Sequence, residues 1–297
     1  MVQSGSLEDL RKEIDQIDNE LQDLLIRRAE VTRVIAKVKQ PTANGHPVSL
    51  GIAMRPAREA LILRRLLLER HRGQLPAQLV VGIWREIITA SLRAQTTFQA
   101  HVYAGGGETA YVGAARAYFG SATPIRTHSK PSLVVHACAE EPNALGVVPL
   151  PVSDEPGAAW WAQLAPAGEK GPRVIARLPL VVDGEDTPGA YALGAIEQEP
   201  TGDDTTLLLF EITPGMSRTK LVNLLKEAGI PARFVAAGRV AQKSVPDEIL
   251  LETKGFVAKD DRRLKALAEI AGDAIARIAT IGGYANPVNI PSPAESR

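Results

Sequence analysis

Residues 6–40 contain neither glycine nor proline, and this stretch constrains the fold more than any other feature of the chain. Within it Leu7, Leu10, Ile14, Ile17, Leu21, Leu24, Val31, Ile35 and Val38 recur at intervals built from threes and fours, the period of one helix face. Ser6, with Asp9 three residues on, has the form of a capping box. The expectation is one amphipathic helix of roughly 50 Å at 1.5 Å per residue, ended by Pro41 and the loop TANGHP. Such a helix has no partner of its own length nearby in the sequence. It needs other helices along its stripe, from this chain or from a second one.

Two further helices are expected, one from about Pro56 to His71 and one from about Pro76 to Phe98. Pro56 suits a first-turn position and Gly73 closes that helix. Residues 1–100 thus read as an all-helical domain of three helices. From residue 101 glycine and proline become frequent and apolar residues come in short runs. HVYAGGG, LVVHACA, LGVVPLPV and VIARLPLVV read as strands, and TAYVGAARAYFG as a helix, so 101–203 is expected to be a small α/β unit. EKGP and DGEDTPG read as loops, and TGDD marks a boundary. In 204–288 the order is strand TTLLLFEI, helix SRTKLVNLLKEAG, strands ARFVAAGRV and DEILLETKG, helix DDRRLKALAEIAGD and strand AIARIATIGGY, a ferredoxin-like βαββαβ pattern. The ending NPVNIPSPAESR, with 289–297 as a separate tail, is expected to be disordered.

The 297 residues leave room for two or three domains, and 45% hydrophobic with 23% charged residues is the composition of packed globular units. A formal net charge of zero argues against a general nucleic-acid binder. Locally, Arg55, Arg58, Arg64, Arg65, Arg70 and Arg72 outnumber Glu59 and Glu69, which suits a small anionic ligand or a solvated face. Cys138 is the single cysteine, so neither an intrachain disulfide nor a cysteine zinc site is expected. His46, His71, His101, His128 and His136 are scattered without ligand spacing, so no metal is expected. Gly105, Gly106 and Gly107 lack the Lys-Ser/Thr of a phosphate loop and read as a tight turn. Trp160 and Trp161 are expected to pack against the α/β core. No run reaches membrane-spanning length, and the first residues have no apolar signal region. The chain reads as cytoplasmic.

The informative residues are polar groups where a stripe predicts apolar ones. The long helix has Arg28 on its stripe. In the second helix Ile62, Leu63, Leu66 and Leu67 form the stripe, and one turn earlier sits Glu59 with Arg58 beside it. In the third, Val80, Trp84, Ile87 and Ile88 continue as Ser91 and Gln95. Unpaired buried charges are costly, so several together imply a lined cavity that holds a ligand. The plainer alternative is an internal ion-pair cluster, or stripes running out into solvent. Arg28 and Lys39 are eleven residues apart, which returns to within ~20° of one face at about 16 Å, a spacing that could clamp a small dianion. Arg11 lies about 25 Å before Arg28. It either serves a site on another subunit or is an ordinary surface arginine.

LEDLRKEIDQIDNELQDLLIRRAEVTRVIAKVKQ, RPAREALILRRL and IWREIITASLRAQ together resemble the all-helical (AroQ) chorismate mutase domain over its full length. The resemblance implies an intertwined helical dimer that rearranges chorismate to prephenate with no metal and no cofactor. It implies that Arg11 crosses from the partner chain, and that Arg28 and Lys39 are the second arginine and the lysine of the long helix. Arg58 and Glu59 match the Arg-Glu pair opening the second helix, and Ser91 and Gln95 the serine and glutamine of the last. Arg11 and Arg28 would hold the two carboxylates, Ser91 and Arg58 assisting. Lys39 and Gln95 would aim donors at the ether oxygen, and Glu59 would accept from the ring hydroxyl. Arg55 stands where some members carry an acidic residue.

AGGGETAYVGAARAYFG and LGVVPLPVS resemble the prephenate dehydratase domain, in shorter matches. Pro151 and Val152 replace the family's acidic-amide pair, leaving Ser153, and its threonine-arginine-aromatic motif is missing. A reduced, inactive domain is the expectation for 101–203. TTLLLFEITPGMSRTKLVNLLKEAGI and IATIGGY resemble the ACT regulatory module, implying either a phenylalanine or tyrosine effector site or a dimerisation unit. The leading reading is a chorismate mutase serving phenylalanine and tyrosine biosynthesis. The alternatives are a bifunctional mutase/prephenate dehydratase and a non-catalytic protein that binds an aromatic amino acid.

Overall fold

The computed structural model describes residues 6–39, 49–72, 74–107, 109–152, 159–165, 171–182, 189–213, 215–238 and 247–290. The chain opens with α1 (Leu7–Lys39), 33 residues long. Its first turn is closed as a capping box: the Asp9 amide donates to Ser6 Oγ at 3.2 Å and the Ser6 amide to Asp9 Oδ2 at 3.2 Å. These bonds hold the Asp9 carboxyl below its usual pKa. The apolar stripe of α1 is real but uncovered, with Leu21 52% and Leu24 60% exposed.

A short α2 (Leu50–Ala53) precedes α3 (Pro56–Arg64), which runs on through a π-helical turn, Arg65–Arg70. Then comes α4 (Ala77–Arg93). The expected third helix therefore stops five residues short of Phe98. Thr96 and Phe98 are buried instead as the chain turns into β1 (Gln99–Tyr103). Pro56 and Leu63, like Pro76 before α4, sit where the sequence pattern places them.

After β1 come α5 (Ala110–Phe119), β2 (Ile125–His128), α6 (Pro131–Glu140), β3 (Ala144–Pro149), a 3₁₀ turn at Trp160–Leu164, β4 (Arg173–Leu178), β5 (Val181–Val182) and β6 (Ala190–Gly194). Then follow β7 (Asp204–Ile212), α7 (Arg218–Glu227), β8 (Ala232–Gly238), β9 (Asp247–Lys254), α8 (Arg262–Ala271), β10 (Ile275–Ala285) and β11 (Val288–Asn289). LVVHACA is helical, not a strand. Pro131 starts α6, and Val134, Val135, Ala137 and Cys138 are buried together on one face, where a strand would have sent alternate residues to opposite sides. The ending is also more ordered than expected. β11 pairs in parallel with β5, and Asn286 bonds Thr205 Oγ1 at 2.7 Å and Asp203 Oδ1 at 2.6 Å. Residues 291–297 lie outside the described residues.

One mixed sheet runs in the order β2-β1-β3-β6-β4-β10-β7-β9-β8. Its last four strands are mutually antiparallel, the strand order of the βαββαβ pattern. The sheet is continuous across residue 203, because β4 joins β10 at Val174↔Gly282. A glycine is required at that seam: Gly282 has φ +125°, and a Cβ there would overlap the Val174 backbone. Trp160 and Trp161 are buried in the cluster that spans the seam with Val174, Leu207, Ala236 and Ile281. The helical segment is fastened to this sheet by polar contacts. Arg64 donates to Thr201 Oγ1 at 2.7 Å and to the Asp203 and Asn286 carbonyls, and Arg55 pairs with Glu199 at 2.6 Å.

Candidate active site

Arg28 leaves the exposed stripe of α1 and turns toward α4, the helix whose own stripe becomes polar after Ile88. Its Nη1 donates to Ser91 Oγ at 2.6 Å, and its guanidinium carbon lies 5.8 Å from the centroid of the Trp84 ring. Trp84, expected only as a core residue, thus gives the cation a π-face to rest on. Partial burial lowers the Arg28 pKa from the ordinary arginine value, but a guanidinium stays charged throughout the physiological range.

Ser91 Oγ in turn donates to the Ile87 carbonyl at 2.9 Å. One turn on, Gln95 Nε2 donates to the Ser91 carbonyl at 2.9 Å, while Gln95 Oε1 is buried with no hydrogen-bond partner. A buried acceptor of this kind costs about 1–3 kcal/mol unless something fills it. Arg28 and Ser91 line a cavity of about 420 Å³ between α1 and α4, walled by Leu25, Thr32, Ile87 and Ala94. That is room for a small molecule. A cavity of about 500 Å³ between α4, α5 and Pro179 has no lysine or arginine in its lining and does not suit a dianion.

The other expected residues are distributed differently. Arg11 is exposed on α1. Lys39 ends α1, and its side chain lies outside the described residues, as does Ser153. Arg58 is exposed at the start of α3. Glu59 is buried and does not line the Arg28 cavity. Its Oε2 accepts from Arg85 Nη1 at 2.7 Å. Arg85 also donates through Nε to the Tyr118 carbonyl at 2.8 Å and lies 4.1 Å from the Tyr118 ring centroid. Sequence reading missed Arg85. The signal was its spacing, three before Ile88, four before Thr89 and seven before Leu92, all of them buried.

The histidines are less scattered than their sequence positions suggest. His101 on β1 and His128 on β2 meet at 2.9 Å, Nδ1 to Nε2, and His101 Nε2 lies 3.4 Å from Glu141 at the end of α6. Burial lowers the pKa of both, with Glu141 opposing. Among the described residues no group of three or more His, Cys, Asp or Glu is placed to hold a metal. No described helix is long and apolar enough to cross a membrane.

The molecule is a helical segment, with Arg28 facing a cavity between α1 and α4, joined to a mixed α/β sheet. Residues 10–96 match the family described as chorismate mutase type II. A bifunctional chorismate mutase/prephenate dehydratase of Stutzerimonas stutzeri is 30% identical over 159 residues, 52% of this chain and 41% of the relative. A protein of the same description from Aquifex aeolicus is 39% identical over 89 residues, 29% of this chain and 23% of the relative. The chain therefore spans about two fifths of the length of the Stutzerimonas relative. A prephenate dehydratase structure from Streptococcus mutans aligns with 65% of this chain and all of its own, at 15% identity and a TM-score of 0.44. The chain thus carries a segment that matches chorismate mutase type II, within a longer stretch similar to bifunctional chorismate mutase/prephenate dehydratases.

Proposed function

We propose that this protein is a chorismate mutase that rearranges chorismate to prephenate for phenylalanine and tyrosine biosynthesis in the cytoplasm. The observation that carries the reading is the Arg28–Ser91 pair lining a cavity within the segment that matches the mutase family, with Gln95 bonded to the Ser91 carbonyl one turn on. The reaction is pericyclic, so it needs no nucleophile and no proton transfer. What it needs is a folded substrate, an orientation effect, and donors where negative charge grows on the breaking ether bond. Arg28 and Arg11 hold the two carboxylates, since a guanidinium binds a carboxylate bidentately, with Ser91 and Arg58 in support. Lys39 and Gln95 face the ether oxygen. In this role Gln95 donates an amide N–H: Nε2 carries two, and the Ser91 carbonyl takes one of them. Glu59 accepts from the ring hydroxyl.

The active form is a homodimer. The uncovered stripe of α1 supports it, since a contiguous apolar face along a 33-residue helix is an association surface. Arg11, about 25 Å from Arg28 along the axis, then serves the partner's site. The βαββαβ unit acts as an ACT-like module, either binding an aromatic amino acid or supporting assembly, and the α/β region between performs no dehydration. Purified protein incubated with chorismate, with prephenate and phenylpyruvate both followed, tests the reading. Prephenate alone is expected. Phenylpyruvate as well would make the protein bifunctional, and neither product would leave it a binding protein.

A further inference from the structure

The mutase reading leaves Arg85 unused, yet Arg85 is 3% exposed, the one buried lysine or arginine among the described residues of the helical segment. Its guanidinium joins three helices. Nη1 holds Glu59 Oε2 on α3 at 2.7 Å. Nε, at 2.8 Å, and Nη2 both reach the Tyr118 carbonyl in the last turn of α5, where helix carbonyls lack intrahelical partners. The Tyr118 ring covers the guanidinium face at 4.1 Å. Burying an ion pair gains little stability over apolar residues of the same size. What it does supply is direction: a planar fork with each donor assigned fixes where the carboxylate points.

We propose that Arg85 is a positioning residue that sets the Glu59 carboxylate from the end of α5, and so ties the substrate-hydroxyl contact of the mutase segment to the α/β unit. The inference rests on the mutase reading and on Glu59 as the hydroxyl acceptor. Arg85 occupies one carboxylate oxygen, Oε2, and no described hydrogen bond takes Oε1, the oxygen that the mutase reading assigns to the hydroxyl. α5 enters the arrangement because two of the three Arg85 hydrogen bonds go to Tyr118. Movement of α5 therefore moves Oε1.

A hydroxyl contact made equally in the bound substrate and in the transition state changes KM and leaves kcat alone. The test compares steady-state kinetics with chorismate for wild type, Arg85→Met, Arg85→Lys, Glu59→Gln, the Arg85→Met/Glu59→Gln double variant and Arg64→Met. Arg64→Met weakens the same junction between helical segment and sheet without touching Glu59. The expected result is a five- to tenfold rise in KM for Arg85→Met, with kcat within about threefold. Arg85→Lys, which keeps the charge but cannot fork between Glu59 and Tyr118, should fall between Arg85→Met and wild type. The double variant should match Glu59→Gln alone, because both changes remove one contact. Arg64→Met should stay near wild type. If Arg85→Met does not fold, Arg85→Lys carries the comparison, with a KM at least threefold above that of Arg64→Met expected. Equal KM for the Arg85 and Arg64 variants, or additive effects in the double variant, would overturn the proposal. Absence of prephenate from the wild type would strike the mutase reading itself, a result separable from either.

Discussion

At the scale of single residues, the proposed site is organised by Arg28, whose fork is oriented by Ser91 and Trp84. Preorganised donors of this kind are worth most where charge develops. Lys39→Ala should therefore lower turnover on the order of a hundredfold, as for loss of one oxyanion donor. Near-normal kcat in that variant would remove Lys39 from the chemistry. A second residue-scale prediction concerns stability. Glu59→Leu strands the Arg85 charge in the interior and should destabilise the fold by about 3 kcal/mol, while Arg85→Met added to it should recover most of the loss. Urea unfolding of the two variants measures this, and a double variant no more stable than the single would contradict it.

At the scale of elements, the seam between β4 and β10 depends on Gly282, where a side chain would strike the Val174 backbone. Gly282→Ala should cost about 2 kcal/mol or more, read as a lower unfolding midpoint at unchanged m-value. The contact between β1 and β2 predicts a pH dependence. Above neutrality His101 and His128 are uncharged in folded and unfolded chains alike. Below about 6.5 the unfolded chain takes up protons first, because the folded pKa values are lowered by burial. Stability should thus decline as pH falls through that range, and a His101→Gln/His128→Gln variant should show a flatter decline in a series of thermal melts. Much of this scale was legible in advance. The stripe of α1, the cap at Ser6 and the βαββαβ order follow from period and turn chemistry that act locally. LVVHACA was not legible, since a short apolar run rich in valine fits a buried strand or a buried helix equally. The His101–His128 meeting and the Arg85–Tyr118 bond were not legible either. Each joins residues distant in sequence: the spacing of Arg85 marks it as buried on α4 but does not name Tyr118 as its partner.

At the scale of the whole molecule, α1 touches α4 through Arg28 and otherwise presents its stripe to solvent, with Ile14 57% and Ile17 49% exposed. A second copy covers it in the proposed dimer, so Ile14→Asp with Leu21→Asp should yield monomers in sedimentation equilibrium and abolish turnover. Monomers with full activity would contradict a shared site. Two-chain architecture also permits a complementation experiment. Arg11→Ala and Arg28→Ala homodimers should each be nearly inactive. Unfolded together and refolded as a mixture, half the dimers pair one of each, and each such dimer holds one site with both arginines intact. Prephenate formation from chorismate by the mixture should therefore recover to about a quarter of the wild-type rate. A mixture no more active than its two components would mean that no site draws one arginine from each chain.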